Sequence, residues 1–311
     1  MTAKLKIGTR GSPLALAQAN QVKTGLVTAH SSLGGDDIEI IIIKTSGDII
    51  QDRLLIEEGG KGLFTKEIEE QLLAGDIDLA VHSTKDMPAK LPQGLEIGGY
   101  LKREDPRDAF LSPIAGTIKD LPKAAVVGTS SLRRQAQLLM VRPDLKVIPF
   151  RGNVETRINK MKSGEVAATL LAVAGLNRLG LQGEITSFLE FDEMLPAPGQ
   201  GAVAIETRVG DETTGGLLSP LDHTETGLCA RVERAVSLGL GASCRMPLGA
   251  LATVNGDQIT AKAALFSPDG KNVWQKELVG PTSNPEGLGT ALAKAIKAMA
   301  DPKILETYKI F

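Results

Sequence analysis

The run Ile40-Ile41-Ile42-Ile43, inside the segment Ile38 to Lys44, constrains the fold most. A continuous β-branched stretch with no polar alternation reads as a strand covered on both faces, which calls for a largely parallel sheet with helices above and below it. Other segments repeat that plan. Residues 4–9 read as a short strand leading into Thr9-Arg10-Gly11-Ser12-Pro13, where Ser12 suits a helix N-cap and Pro13 the first helical position. The helix that follows is expected to bury Ala15, Ala19, Val22 and Leu26. Further strands are expected at Ile77–Ser83, Ala125–Gly128, Leu145–Phe150 and Val166–Val173. Thr65 is expected to cap a helix whose first turns hold Glu67, Glu69 and Glu70.

The fold class that follows is α/β. A highly charged stretch, Tyr100 to Asp108, marks one domain crossing, and Leu195-Pro196-Ala197-Pro198-Gly199-Gln200-Gly201 marks the return. Residues 1–101 with 199–219 make a first lobe, because Ala202–Thr207 reads as a strand returning to its sheet; residues 102–198 make a second. Two lobes with two crossings form a clamshell. Residues 220–311 form a small α+β domain: a helix over Glu225–Leu238, then strands Ala250–Val254, Gln258–Phe266 and Val273–Leu278 separated by turn signals. A last helix carries the core stripe Leu288, Leu292, Ala295, Ile296 and Met299.

Composition excludes several classes. A net charge of −2 gives no field that draws nucleic acid or an anionic membrane, and aromatics at 3% offer no base-stacking platform. No apolar run is long enough for a membrane span, and the first residues lack a signal-peptide core. The cysteines Cys229 and Cys244 point to a reducing compartment, cytosolic or stromal, with Cys229 structural. His30, His82 and His223 are isolated, so no catalytic metal is expected.

Chemistry gathers at strand ends, where ligands bind in open α/β sheets. Arg10 lies between a strand end and a helix start. Lys85 and Asp86 follow the strand that ends at Ser83. Thr129-Ser130-Ser131 opens a helix carrying Arg133 and Arg134, Arg151 and Arg157 follow the next strand, and Arg178 the one after. Hydroxyls at a helix start followed by guanidinium groups suit carboxylate or phosphate, and the repetition points to a ligand with several carboxylates. The connection Gly47 to Gly62 reads as a lid ending in Gly59-Gly60-Lys61-Gly62; Lys61 is followed by Gly62, so the phosphate-loop pattern is not met. Cys244 sits in Gly239-Leu240-Gly241-Ala242-Ser243-Cys244-Arg245-Met246-Pro247-Leu248-Gly249, where small residues give access and Arg245 favours the thiolate.

These residues resemble the porphobilinogen deaminase (hydroxymethylbilane synthase) family over essentially the whole chain. The resemblance rests on Gly8-Thr9-Arg10-Gly11-Ser12-Pro13-Leu14-Ala15-Leu16, Gly59-Gly60-Lys61-Gly62-Leu63-Phe64 and Val81-His82-Ser83-Thr84-Lys85-Asp86-Met87-Pro88. It continues through Arg103-Glu104-Asp105-Pro106-Arg107-Asp108-Ala109, Gly128-Thr129-Ser130-Ser131-Leu132-Arg133-Arg134, Arg151-Gly152-Asn153 and Ala172-Val173-Ala174-Gly175-Leu176. Pro198-Gly199-Gln200-Gly201-Ala202 and Ser243-Cys244-Arg245-Met246-Pro247-Leu248-Gly249 complete it.

The resemblance implies two lobes like those of a periplasmic binding protein plus a third domain. It implies a dipyrromethane cofactor joined by a thioether to Cys244, and head-to-tail condensation of porphobilinogen with loss of ammonia, ending in hydroxymethylbilane. Asp86 matches the family's catalytic carboxylate, which would stabilise the cation formed when the amine leaves. Arg10, Ser12, Ser83, Lys85, Thr129, Ser130, Ser131, Arg133, Arg134, Arg151, Arg157, Arg178 and Gln200 match positions that hold cofactor and substrate. The family further implies a monomer that passes its product to uroporphyrinogen III synthase, in the cytoplasm or, for a mature plastid protein, the stroma. Thr84 and Met87 stand where methionine and valine are common, Glu57 where lysine is frequent, and Ala242-Ser243 where many members carry two glycines. A clamshell that only binds a polycarboxylate, and a transferase using Cys244 as a turnover nucleophile, are the competing readings.

Overall fold

The computed structural model of the chain describes residues 4–49, 64–242 and 246–307. In chain order the elements are β1 (Leu5–Thr9), α1 (Pro13–Ala29), β2 (Ile38–Ile42), α2 (Ser46–Ile49), α3 (Lys66–Ala74), β3 (Leu79–Ser83), β4 (Leu95–Tyr100) and β5 (Asp108–Leu111). Next come β6 (Val126–Gly128), α4 (Leu132–Val141), β7 (Lys146–Ile148), α5 (Val154–Lys162), β8 (Ala168–Ala172), α6 (Val173–Arg178), β9 (Ser187–Leu189) and β10 (Val203–Arg208). The chain then forms α7 (Glu212–Leu218), α8 (Thr224–Leu240), β11 (Leu248–Asn255), β12 (Gln258–Phe266), β13 (Val273–Pro281), α9 (Pro285–Met299) and α10 (Pro302–Thr307).

The chain divides into two compact units, Met1–Glu104 with Ala202–Leu228, and Asp105–Gly201 with Cys229–Phe311. The first holds a five-stranded sheet ordered β2-β1-β3-β10-β4. Strands β1, β2 and β3 are parallel, and β10 runs against both β3 and β4. The second holds a sheet ordered β7-β6-β8-β5-β9, in which β6, β7 and β8 are parallel and β5 runs against β8 and β9. The same topology therefore occurs twice: a parallel trio with its first strand central, then an inserted antiparallel strand, then an edge strand. Each unit therefore holds one mixed five-stranded sheet, in line with the α/β class expected from the sequence.

The isoleucine run behaves as its composition demands. Ile38 and Ile40 join the core on the α1 side, with Ile7, Val22, Leu26, Val81 and Ile205, while Ile41 and Ile43 join the α3 side with Ile68, Leu72 and Ala80. Each fully buried aliphatic side chain of this kind contributes about 1.5–3 kcal/mol. One residue departs: β2 is an edge strand, and Ile42 at its carboxyl end is 56% exposed.

Other expectations need correction. Ala15 is only half-buried, and Gln18 joins Ala19, Val22 and Leu26 on the buried face of α1. Thr65 stands at the N-cap of α3 without making a side-chain capping bond, and Glu69 turns inward to a buried position. On α9 the buried stripe is Leu288, Leu292, Ala293 and Ile296, whereas Met299 is 44% exposed. Short strands β4, β5 and β9 lack a legible alternation and were not foreseen.

The three C-terminal strands form the expected antiparallel sheet, β11-β12-β13. Within the same unit, Ala264 and Phe266 of β12 pack with Ala136 of α4 and Leu195. Helix α9 packs closely against α8: a Cβ on Gly289 would stand 2.3 Å from the Val232 carbonyl oxygen, so only glycine fits there. No described helix is long and apolar enough to cross a membrane.

Candidate active site

In the first unit, parallel β1 and β3 end at the same sheet edge, and the expected residues collect there. Ser12 caps α1, its hydroxyl accepting from the Ala15 amide at 3.3 Å. Arg10, between β1 and that cap, lays its guanidinium over the Phe64 ring at 4.2 Å from the centroid. Strand β3 runs into a 3₁₀ turn, Thr84–Asp86, whose first amide donates to the Ala202 carbonyl at 3.1 Å. Ser83 pairs with Gln18, whose Nε2 donates to Ser83 Oγ at 2.9 Å. Lys85 is half-buried, and Asp86 is exposed at the end of the turn. An accessible carboxylate held by a short turn next to an ammonium group can meet a developing cation without first being desolvated.

In the second unit, β6, β7 and β8 are parallel, so their following loops share one edge. The hydroxyls after β6 organise that edge. Ser131 caps α4, accepting from the Arg134 amide at 3.4 Å; Thr129 Oγ1 accepts from the Ser131 amide at 3.2 Å. Ser130 Oγ accepts from the Phe150 amide at 3.0 Å, tying the loop after β6 to the loop after β7. Arg151 follows that contact, half-buried, and Arg157 Nε donates to the Gly152 carbonyl at 2.8 Å. Gly152 has φ 118°, and a Cβ there would fall 2.7 Å from Thr156 Cγ2, so the turn needs glycine. Arg178 Nη2 donates to the Gly201 carbonyl at 2.8 Å.

Arg133 and Arg134 stand differently from the sequence expectation, which set them out for ligand carboxylates. Both are buried and clasp Asp108: Arg133 Nη1 meets Oδ2 at 2.7 Å, and Arg134 meets Oδ1 through Nη2 at 2.6 Å and Nε at 3.0 Å. Burial alone would push the Asp108 carboxyl up, but the two guanidinium groups hold it well below the usual carboxylate range. Arg133 keeps one buried nitrogen, Nε, with no partner among the described residues. Two cations on one anion leave a fixed unit of positive charge behind the start of α4.

Asp108 was missed in the sequence. Its charge was legible in Arg103-Glu104-Asp105-Pro106-Arg107-Asp108, but not that it opens β5 and points inward. Gln18 was missed too, its signal being a polar residue on the apolar face of α1. Gln200, expected at a ligand, is buried and bridges its own unit, donating to the Pro106 carbonyl at 2.8 Å and to Asp108 Oδ1 at 3.1 Å. Cys244 and the lid residues Gly59, Gly60, Lys61 and Gly62 lie outside the described residues.

Comparison with known proteins places the chain in a family. The family model for the porphobilinogen deaminase dipyrromethane-cofactor-binding domain matches residues 5–215, and that for the porphobilinogen deaminase C-terminal domain matches 227–298. The porphobilinogen deaminase of Nitrobacter winogradskyi is 51% identical over 302 residues, covering 97% of this chain and 95% of the relative. That of Paracoccus denitrificans is 48% identical, covering 95% and 94%. Among solved structures, a periplasmic substrate-binding protein of an ABC transporter from Coxiella burnetii is similar at 14% identity, with a TM-score of 0.43, over 70% of this chain and 91% of that one. On the two domain matches and the near-full-length identity, the chain belongs to the porphobilinogen deaminase family.

Proposed function

We propose that this enzyme is a transferase that condenses porphobilinogen units head to tail, releasing ammonia at each step, and frees hydroxymethylbilane by hydrolysis. The observation that carries the reading is Asp86: an exposed carboxylate at the carboxyl end of a central strand, in a chain that belongs to the porphobilinogen deaminase family. When the amine departs, positive charge spreads to the pyrrole nitrogen. The Asp86 carboxylate accepts the ring N–H hydrogen bond and stabilises that charge as it forms. It also stands ready to take up or return a proton at the amine or at the ring carbon.

The donor chemistry at both sheet edges fits a dipyrromethane, whose rings carry acetate and propionate groups. Arg10, Ser12, Ser83 and Lys85 serve in the first unit, and Thr129, Ser130, Ser131, Arg151, Arg157 and Arg178 in the second. Arg133 and Arg134, anchored by Asp108, to which Gln200 also donates, add fixed positive charge to that set. Bound through Cys244, the cofactor supplies the pyrrole end to which substrate units are added. Gly59, Gly60, Lys61 and Gly62 belong to the lid in this reading. We assign three domains as the sequence divides them, with the enzyme acting as a cytoplasmic monomer whose product goes to uroporphyrinogen III synthase.

The intact mass of the purified protein tests the reading together with turnover of porphobilinogen. An excess of two linked pyrrole units, lost in Cys244→Ser, with hydroxymethylbilane as product, supports it. An unmodified mass from a pyrrole-replete host, with no turnover, would favour a polycarboxylate-binding protein.

A further inference from the structure

Strand β3 is held on both faces. Gln18 holds Ser83 from the α1 side, and the α3 side carries a polar cluster that the reaction as derived does not use. His82 Nε2 lies 3.0 Å from Glu206 Oε2, with both side chains buried. The sheet register explains the pairing: Ala204 stands opposite His82 and Glu206 opposite Ala80, so the two meet on the diagonal, within reach of long side chains. Helix α3 covers this face and brings a second carboxylate, Glu69, also buried.

Three oxygens on α3, β10 and the turn after β3 are buried without a hydrogen-bond partner among the described residues: Glu69 Oε1, Glu206 Oε1 and Thr84 Oγ1. Each such group is costly to leave unsatisfied. Two of them are carboxylate oxygens, which can only accept unless one carboxyl carries a proton. Burial pushes the Glu69 carboxyl up; Thr65 opposes this, Glu206 adds to it, His82 opposes and Glu70 adds. The neighbouring charge is already engaged. Arg208, further along β10, is bound to the Leu72 and Ile77 carbonyls and to Asp211, while β2 contributes Ile41 and Ile43 and β1 contributes Gly8. Thr84 opens the turn that ends at Asp86.

We propose that His82, Glu206 and Glu69 form a buried positioning cluster that fixes the end of β3 and the turn bearing Lys85 and Asp86, an inference that rests on the reaction assigned above. While burial keeps the proton on Glu69, no second anion stands beside the His82–Glu206 contact. If Glu69 ionises, a second anion faces Glu206 in an apolar setting, and the contact between α3 and the strand end loosens. The linkage has a definite sign. A carboxyl held up in the folded state keeps a proton that the unfolded chain has released. The folded state therefore loses stability as pH rises from the ordinary carboxyl range through the raised value.

The test uses the full-length enzyme and the near-isosteric variants Glu69→Gln and Glu206→Gln, with His82→Gln as a third. Denaturation midpoints are followed against pH, kcat and KM are measured separately, and the His82 imidazole is followed by its ¹⁵N resonances. Glu69→Gln, a mimic of the protonated acid, is expected to flatten the fall of stability with pH. Glu206→Gln and His82→Gln are expected to lower kcat by about tenfold to a hundredfold with KM little changed. Glu206→Gln should also shift the His82 resonances. Wild-type kcat in Glu206→Gln, or an unchanged stability–pH curve in Glu69→Gln, overturns the proposal. Absence of turnover in the wild type would instead overturn the assigned reaction, and the stability and ¹⁵N readouts would still judge the cluster.

Discussion

Gln18 on α1 exchanges two hydrogen bonds with Ser83 on β3, Nε2 donating at 2.9 Å and Oε1 accepting at 3.2 Å. A side chain from the first helix thus fixes the residue that precedes the turn ending in Asp86. Gln18→Ala is expected to cost about 1 kcal/mol per bond lost and to lower turnover by letting Ser83 rotate. Chemical denaturation and steady-state kinetics check this; unaltered kcat and stability together would refute the link.

Asp86→Asn keeps the size of the side chain and removes the charge. Asp86 is exposed, so the fold should hold and the melting temperature should match wild type. Turnover should drop by about 10²–10⁴-fold. A mass spectrum showing cofactor still attached, beside near-zero product formation, is the expected pair of results; full activity would remove Asp86 from the mechanism.

Asp108→Asn leaves Arg133 and Arg134 buried without their anion, an expected loss of about 3–5 kcal/mol in denaturant unfolding. The same contact makes a pH prediction. The folded carboxyl is depressed, so its contribution is complete above the ordinary carboxylate range and is lost as pH falls through that range towards the folded value. Wild type should therefore lose stability on acidification over this window, and the variant should lose much less. Parallel acid profiles would contradict the assignment.

Gly289→Ala forces a methyl group to within 2.3 Å of the Val232 carbonyl oxygen and 2.7 Å of Ala235 Cβ. The obstacle includes backbone, so α9 must shift from α8, at a cost of about 1–3 kcal/mol. A lowered melting temperature with unchanged KM for substrate is expected. An unperturbed melting temperature would mean that the two helices are not packed this closely.

The strand ends were legible in the sequence because their signals are local. Ser12 before Pro13, Thr129-Ser130-Ser131 before Leu132, and the β-branched run at Ile40 each specify their own backbone. Glycines and prolines fixed the turns between β11, β12 and β13. Short strands β4, β5 and β9 were not legible, since four to six residues or fewer carry no periodicity and their identity comes from the neighbour they pair with. Ala15 and Met299 were misjudged for a related reason: helical spacing marks a face but not how far the partner element extends over it.

Taken alone, the sequence determined that the chain alternates strands and helices, that its cationic and hydroxyl side chains fall at strand ends, and that Asp86 follows the strand ending at Ser83. What only tertiary structure decided is which polar residues turn inward. Asp108 became an anchor for two arginines because β5 enters its sheet against β8, and Glu206 met His82 because β10 returns beside β3 in one register. Both pairings join residues about 25 and 124 positions apart. Their energetics depend on burial, where an unmatched charge is costly and a matched one holds its partner in place. No local pattern records such a partner, because the partner is set by the sheet order and not by the neighbours in the chain.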